Sequence, residues 1–291
     1  MNKVLVAGST GYLGGFVCSG LLARSYEVRA LARNLAKLER QGLRGAEKFE
    51  ADVTRPETLP GCCEGVDTVI SSVGITRQRD GLSYHDVDYQ ANMNLLVEAK
   101  KSGVRKFIYI SVLNGDRLQN LKICEAKERF VEELSRSGLE YSVVRPNGFF
   151  SDLSEFYTMA KKGRVYLFGS GEWRTNPIHG EDLATVCIDA MDRSDLEIPA
   201  GGPETMTHRD IAMLAFKVLG KDPKITSIPN WVRKSALRLI RCFCGSKVYG
   251  PIEFFMTVMA MDMVAPAFGS HTLREHFLEL KKRDDFENGA K

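Results

Sequence analysis

The sequence has almost no net charge, no long apolar run and no paired cysteine spacing, and each lack excludes a class of protein. Forty basic residues against thirty-seven acidic ones leave +3. No basic stripe focuses that excess, so no nucleic-acid partner is expected. No stretch approaches the roughly 18 apolar residues of a membrane-crossing helix. The longest, "FFMTVMAM", is flanked by Glu253 and Asp262. The seven cysteines (Cys18, Cys62, Cys63, Cys124, Cys187, Cys242 and Cys244) are odd in number and lack C-x-x-C spacing. That argues against a disulfide framework and against a metal site, and for a reducing compartment. The chain opens straight on an apolar strand, "MNKVLVAG", so no leader is read there and a cytoplasmic location is expected.

What is there is alternation. "KVLVAG" reads as a buried strand and "YLGGFVCSGLLAR" as a helix. "EVRALAR", "EKFEAD", "VDTVISSVG", "RKFIYIS" and "EYSVVRPNG" read as further strands, with helical patterns such as "HDVDYQANMNLLVEAKKSG" and "CEAKERFVEELSRSG" between them. Nearly continuous apolar strands separated by helices predict an α/β fold, with a Rossmann-type, doubly wound parallel sheet. Gly103 and Gly138 sit where helix C-caps belong. After Pro146 the rhythm breaks into shorter, mostly helical elements. Thr207 with Asp210 three residues on reads as a capping box. The charged end "KKRDDFENGAK" reads as a frayed tail.

The first strand runs into Gly8, Ser9, Thr10, Gly11, Tyr12, Leu13 and Gly14. Three glycines between a strand and a helix permit a tight turn, close backbone approach to a pyrophosphate and close helix packing. An NAD site usually ends its second strand on an acid that binds the ribose hydroxyl. Here the strand ends on Arg33, with Lys37 beyond it and no acid. Cations suit a 2′-phosphate, so NADP(H) is the expected cofactor. Asp52 and Val53, after the third strand, are placed to meet the adenine. Residues 1–148 and 174–198 are expected to form the nucleotide-binding core. Residues 149–173 and 199–291 are expected to form a smaller substrate lobe, the two making one two-lobed unit.

With those residues in hand, the whole chain resembles the atypical and extended short-chain dehydrogenase/reductase superfamily, in its NmrA-like branch. "GSTGYLGGFV", "AKERFVEEL", "RPNGFF" and "NPIHGEDLA" carry the resemblance in order and spacing. The pattern is most similar to the divinyl chlorophyllide 8-vinyl reductase type, through "VYLFGSGEWRTNPIHGEDLA" and "FGSHTLREHF". The resemblance implies that Ser71, Ser72, Val73 and Gly74 line the cofactor. It implies that Ser111 ends the fifth strand beside it, and that Pro146, Asn147, Gly148 and Phe149 meet the nicotinamide. Lys127 falls on the lysine that binds the nicotinamide ribose.

Two family residues are missing. The catalytic tyrosine, four residues before the lysine, is Ile123, and the serine position is Leu113. Neither side chain can protonate a carbonyl oxygen, so plain ketone reduction and sugar-nucleotide epimerisation are disfavoured. Reduction of a conjugated carbon–carbon double bond in a bulky apolar substrate, a tetrapyrrole being the candidate, stays open. So does a non-catalytic NADP(H)-binding regulator or assembly factor. Tyr157 is a candidate proton donor. Tyr84 and His179 are candidates for substrate contact. Cys124 reads as a small buried hydrophobe, and Asp182 as the cap of the helix "LATVCIDAM". "NWVRKSALRLIRCF" is a basic amphipathic helix. Packing against the segment after it is favoured over contact with a membrane surface.

Overall fold

A computed structural model describes residues 3–75, 81–243 and 245–289. Cys244 lies outside them. The chain forms two compact units, Met1–Arg145 with Leu183–Pro199, and Pro146–Asp182 with Ala200–Lys291. The sequence reading put these boundaries near 148, 174 and 198.

The first unit is built on β1 (Lys3–Ala7), β2 (Glu27–Ala32), β3 (Glu47–Glu50), β4 (Thr68–Ser71), β5 (Lys106–Ile110) and β6 (Glu140–Pro146). These six run parallel in the order β3-β2-β1-β4-β5-β6. A seventh strand (Glu197–Ala200) adds to the free edge of β6, where Val143 N–H donates to Leu196 O at 2.8 Å. The helices are α1 (Tyr12–Ala23), α2 (Leu35–Arg40), α3 (Asn92–Lys101) and α4 (Lys122–Ser135). This is a Rossmann-type sheet. The strands are apolar throughout because helices cover both faces: every residue of β4 and β5 is buried. Gly103 and Gly138 end α3 and α4 at positive φ, as their positions predict.

Two features of this unit leave no pattern in the sequence. Arg29, on β2, is buried and donates from Nη1 to the carbonyls of Gly61, Cys62 and Glu64, fastening that turn beneath the sheet. Before α3, His85–Ala91 forms a π-helical turn. Asn92 supports it. Its Nδ2 donates to the carbonyls of Val87 at 3.2 Å and Asp88 at 3.0 Å, and its Oδ1 accepts from Ser71 Oγ at 2.6 Å. A side chain inserted into the helical ladder widens it by one residue.

The second unit has its own core, in which Phe150, Phe156, Tyr157, Phe216, Leu273 and Phe277 are buried together. Its helices are α5 (Phe150–Lys161), α6 (Gly180–Asp189, shared with the first unit), α7 (His208–Leu219), α8 (Asn230–Phe243), α9 (Ser246–Val258) and α10 (Leu273–Gly289). Strands Val165–Phe168 and Ile225–Ile228 pair in parallel, and Arg174–Thr175 and Met206–Thr207 pair antiparallel. Thr207 and Asp210 form the expected capping box. As far as Gly289 the charged end is not frayed: it is the last part of α10. Asp284 there accepts from Tyr157 at 2.9 Å and pairs with Lys161 at 2.8 Å, which anchors the helix to the core.

His208, the first residue of α7, is 3% exposed. Burial lowers its pKa from 6.5 to about 4, against a weaker opposing pull from Asp262. The folded chain therefore holds it neutral where the unfolded chain would protonate it. Between pH 6.5 and 4 the unfolded state binds the extra proton, so stability falls as pH drops through that window. The full effect is roughly 3 kcal/mol. In urea titrations at pH 7, 5.5 and 4.5, His208→Leu is expected to flatten the pH slope by about that much. Equal slopes in the two proteins would refute the assignment.

Candidate cofactor site

The C-terminal ends of β1, β2 and β4 open into a cavity of about 390 Å³. Gly8, Thr10, Gly11, Arg33, Lys37, Asp52, Val53, Ser72, Val73 and Gly74 line it. The turn into α1 explains why glycine stands at three places. Gly8 has φ +82°, and Gly11 N–H closes the turn onto Gly8 O at 2.8 Å. A Cβ on Gly14 would lie 2.7 Å from the Gly8 carbonyl carbon and 2.9 Å from Ser9 Cα, and closer still to the Gly8 oxygen. Tyr12 and Leu13 begin α1. The helix has neither a side-chain cap nor an acidic residue in its first turn. Such a helix start, with its free N–H groups and positive dipole end, suits an anion. Ser9 is fully buried and does not line the cavity; its Oγ donates to Leu31 O at 2.8 Å and ties the turn to β2.

The far end of the cavity carries Arg33 and Lys37, both exposed. Asn34, between them, caps α2 by accepting from Lys37 N–H at 3.1 Å. Asp52 has its Oδ1 held by Thr54, from N at 3.0 Å and Oγ1 at 2.7 Å. These residues fit a dinucleotide that carries an extra phosphate. A flexible-φ turn admits the pyrophosphate, and two cations stand where NAD sites keep an acid.

Behind Gly74 sits Lys127, on α4 and buried. Its Nζ lies 3.1 Å from Asp88 Oδ1, 3.3 Å from Ile110 O and 3.4 Å from Tyr109 Oη. A Cβ on Gly74 would come within 3.0 Å of that Nζ and 2.7 Å of Asp88 Oδ1. Only glycine lets the pair lie directly under the cavity wall. Burial works against the ammonium, but Tyr109 and Asp88 outweigh it and hold the Lys127 pKa above the ordinary lysine value. The group stays cationic across the physiological range. Ser71 is buried and donates to Asn92. Ile123 packs against the core and Leu113 is buried, so no phenol or hydroxyl stands at either position. Burial pushes the adjacent Cys124 thiol up to about 12, which keeps it protonated, as a small core residue.

Ser111 faces a different network. Its Oγ donates to Glu128 Oε1 at 2.8 Å. Arg145 grips the same carboxylate with two nitrogens, at 2.6 and 2.8 Å, and also pairs with Glu197.

In the second unit, Asn147 is buried. Its Nδ2 donates to Thr175 Oγ1 and Asn176 Oδ1, and its Oδ1 accepts from Gly148 N–H at 2.8 Å. Pro146 ends β6, and Phe149 precedes α5 with its N–H donating to Asp152. Tyr157 is buried and its hydroxyl donates to Asp284. Burial and that carboxylate both push its pKa up. Tyr84, in the first unit, is buried in the core, and burial raises its pKa too. His179 is half-buried and stacks on His271 with centroids 4.3 Å apart. Burial and His271 lower its pKa. Asp182 does not cap its helix as its place in the sequence suggests. It accepts from Ser270 N, His271 N and His271 Nδ1, which fixes the segment after Gly269. His179, Glu181 and His271 each bring a donor atom within 4.8 Å of the others, the one such group among the described residues.

The family follows from a match over residues 8–194 to the NAD(P)H-binding family. The chain belongs to that family. Its cofactor class is therefore NAD(P)H, and the cavity lies in the matched region. The chain is 32% identical over 251 residues to divinyl chlorophyllide a 8-vinyl-reductase of Arabidopsis thaliana, covering 78% of this chain. It spans 60% of that relative's length. It is 30% identical over 231 residues to photosystem II assembly factor Ycf39 of Guillardia theta, covering 78% of this chain and 73% of that protein. In three dimensions it matches the NADPH-dependent quinone oxidoreductase of Escherichia coli. The TM-score is 0.71 at 18% identity, over 96% of this chain and 99% of that one. At that identity the match speaks for the fold. No helix among the described residues is long and apolar enough to cross a membrane.

Sequence reading alone missed the partners that give this NAD(P)H-binding unit its polar interior: Asp88, Tyr109, Asn92 and Glu128. A signal was present for one of them. Glu128 directly follows Lys127 and so turns its carboxylate to another face of α4, toward Arg145. Asp88 gave none, because it lies 39 residues before Lys127 and becomes its partner only once β4, β5 and the π-helical turn come together.

Proposed function

We propose that the chain is an NADPH-dependent reductase of a polarised carbon–carbon double bond in a bulky apolar substrate. The 8-vinyl group of a divinyl chlorophyllide is the leading candidate. The observation that carries this reading is the retained Lys127, ion-paired with Asp88, together with apolar side chains at positions 123 and 113. A carbonyl reductase needs a hydroxyl acid at those positions, whereas an alkene needs no oxygen protonated by the enzyme. Bound NADPH supplies the hydride. Arg33 and Lys37 take the 2′-phosphate, and the glycine turn with the start of α1 takes the pyrophosphate. Lys127, ion-paired with Asp88 beneath Gly74, would fix the cavity wall against which the nicotinamide end of the cofactor lies. Of the three side chains considered for substrate contact or proton donation, Tyr84 and Tyr157 are buried. His179 is half-buried and is the one offered for substrate contact. The Arabidopsis relative's name supports the choice of substrate.

A second reading rests on the Ycf39 likeness together with the two missing hydroxyls: an assembly factor that binds NADP(H) without turning it over. Titration of the purified protein with NADPH and NADH, and then NADPH oxidation with divinyl chlorophyllide, separates the two. Arg33→Ala is expected to weaken NADPH about 10–100-fold, the worth of one charge-assisted contact, and to leave NADH unchanged. Equal losses for both cofactors would sink the 2′-phosphate assignment. Tight NADPH binding with no oxidation on this or other enone substrates would select the assembly reading.

A further inference from the structure

Helix α8 shows two unlike faces. None of its residues is buried, and it contains no aspartate or glutamate. Val232, Arg233, Ala236, Leu237 and Ile240 are half-buried and form one stripe at helical spacing. That stripe meets α9: Arg233 Nη1 donates to Met256 O at 3.0 Å, and Arg241 pairs with Glu253. Packing against the following segment therefore accounts for this side of the helix and leaves the other side unexplained.

The outward stripe carries Trp231, Lys234, Ser235, Arg238, Leu239 and Cys242, with Phe243 beside it. Trp231 is 69% exposed, Leu239 59% and Phe243 84%. A face turned to water would be polar all round. Here, at 100° per residue, Lys234 and Arg238 fall on one flank of Trp231 and Leu239 on the other, while Phe243, the last residue of the helix, stands exposed at the edge of the stripe that meets α9. Lys234 and Arg238 pair with no carboxylate among the described residues.

The split decides the occupant. A second copy in a two-fold contact would set cationic flank against cationic flank if the helices ran antiparallel, and cations against apolar side chains if they ran parallel. An anionic lipid surface complements both flanks, with the cations among headgroups and the aromatic and aliphatic side chains at the acyl boundary. We propose that the outward face of α8 docks the protein onto an anionic bilayer. Lys234 and Arg238 meet the headgroups, and Trp231, Leu239 and Phe243 insert beneath them. The proposal stands apart from the reductase reading.

The chain has two tryptophans, so Trp173→Phe leaves Trp231 as the sole reporter. Binding is measured by flotation and by Trp231 emission, with vesicles of 70:30 phosphatidylcholine:phosphatidylglycerol and of phosphatidylcholine alone. We expect tight, salt-sensitive binding and a blue shift on the anionic vesicles only. Lys234→Ser with Arg238→Ser should weaken it roughly thirtyfold, at about fivefold per cation. Leu239→Ser with Phe243→Ser should weaken it at least about tenfold and abolish the blue shift. All four positions are exposed, and unchanged circular dichroism and NADPH titration check that the variants fold. Equal binding to both vesicles, or indifference to both pairs of substitutions, overturns the proposal. So does a lipid-free dimer by sedimentation equilibrium in which Trp231 is already blue-shifted, since a second copy would then own the face.

Discussion

Replacing Glu128 with alanine is expected to destabilise the first unit by about 3–5 kcal/mol, the range for breaking a buried ion pair from one side. The pair is held by two bonds from Arg145, at 2.6 and 2.8 Å, with Ser111 Oγ as a third donor. Arg145 stays charged at every accessible pH. Burial opposes its charge, but Glu128 and Glu197 outweigh that and raise its pKa further. Without Glu128 the guanidinium keeps the half-exposed Glu197, the Ser111 hydroxyl and the Val112 carbonyl. A melting temperature lower by roughly 6–20 °C should follow. Replacing both partners, Glu128→Leu with Arg145→Met, should recover most of the loss, because no charge is then stranded. A thermal melt of the two variants beside the parent decides the matter. A single variant as stable as the parent, or a double no better than the single, would show that the network is not structural in this way.

Gly14 and Gly15 are neighbours in the same helix, yet alanine should act on them in opposite ways. At Gly14 the new Cβ would collide with backbone of the Gly8–Ser9 turn, which cannot swing aside as a side chain can. The turn must open, and NADPH affinity should fall more than about a hundredfold, because the N–H groups that receive the pyrophosphate move with it. At Gly15 the nearest atom to a new Cβ is Gln41 Nε2 at 3.5 Å, an ordinary contact. Alanine there should leave affinity within about twofold. It should also add up to about 1 kcal/mol of stability, from the difference in helix propensity. Fluorescence titration of NADPH against the two variants is enough. Comparable losses at both sites would mean that the turn is not the anchor.

What could be read from the sequence and what could not divide by distance along the chain. The strands announce themselves because both their faces are covered, so the apolar run is continuous. Gly103, Gly138 and the Thr207–Asp210 box each act within four residues of the helix end they finish. The glycine turn, Arg33 and Lys37 were legible for the same reason, as one strand-turn-helix and the end of the next strand bring them to one cavity. Lys127 was legible as a residue and not as a site. Its partner Asp88 lies on a π-helical turn whose register depends on Asn92 reaching back to Ser71, 21 residues away. Asp182 looked like a cap and instead holds His271, 89 residues later. The tail looked frayed because its charges mask Leu273 and Phe277, which enter the second core at the start of the same helix.

The interleaving of the two units has a consequence for how the chain is made. The first unit needs Glu197–Ala200 to cover the edge of β6, and those residues emerge about 50 positions after β6 itself. At 5–20 residues per second, the ribosome leaves that edge unpaired for roughly 3–10 s. Arg145 then waits on the growing chain without Glu197, and β6 offers open N–H and C=O groups to any neighbouring strand. The nascent protein is thus most vulnerable to mispairing midway through synthesis, with its six-stranded sheet already in hand.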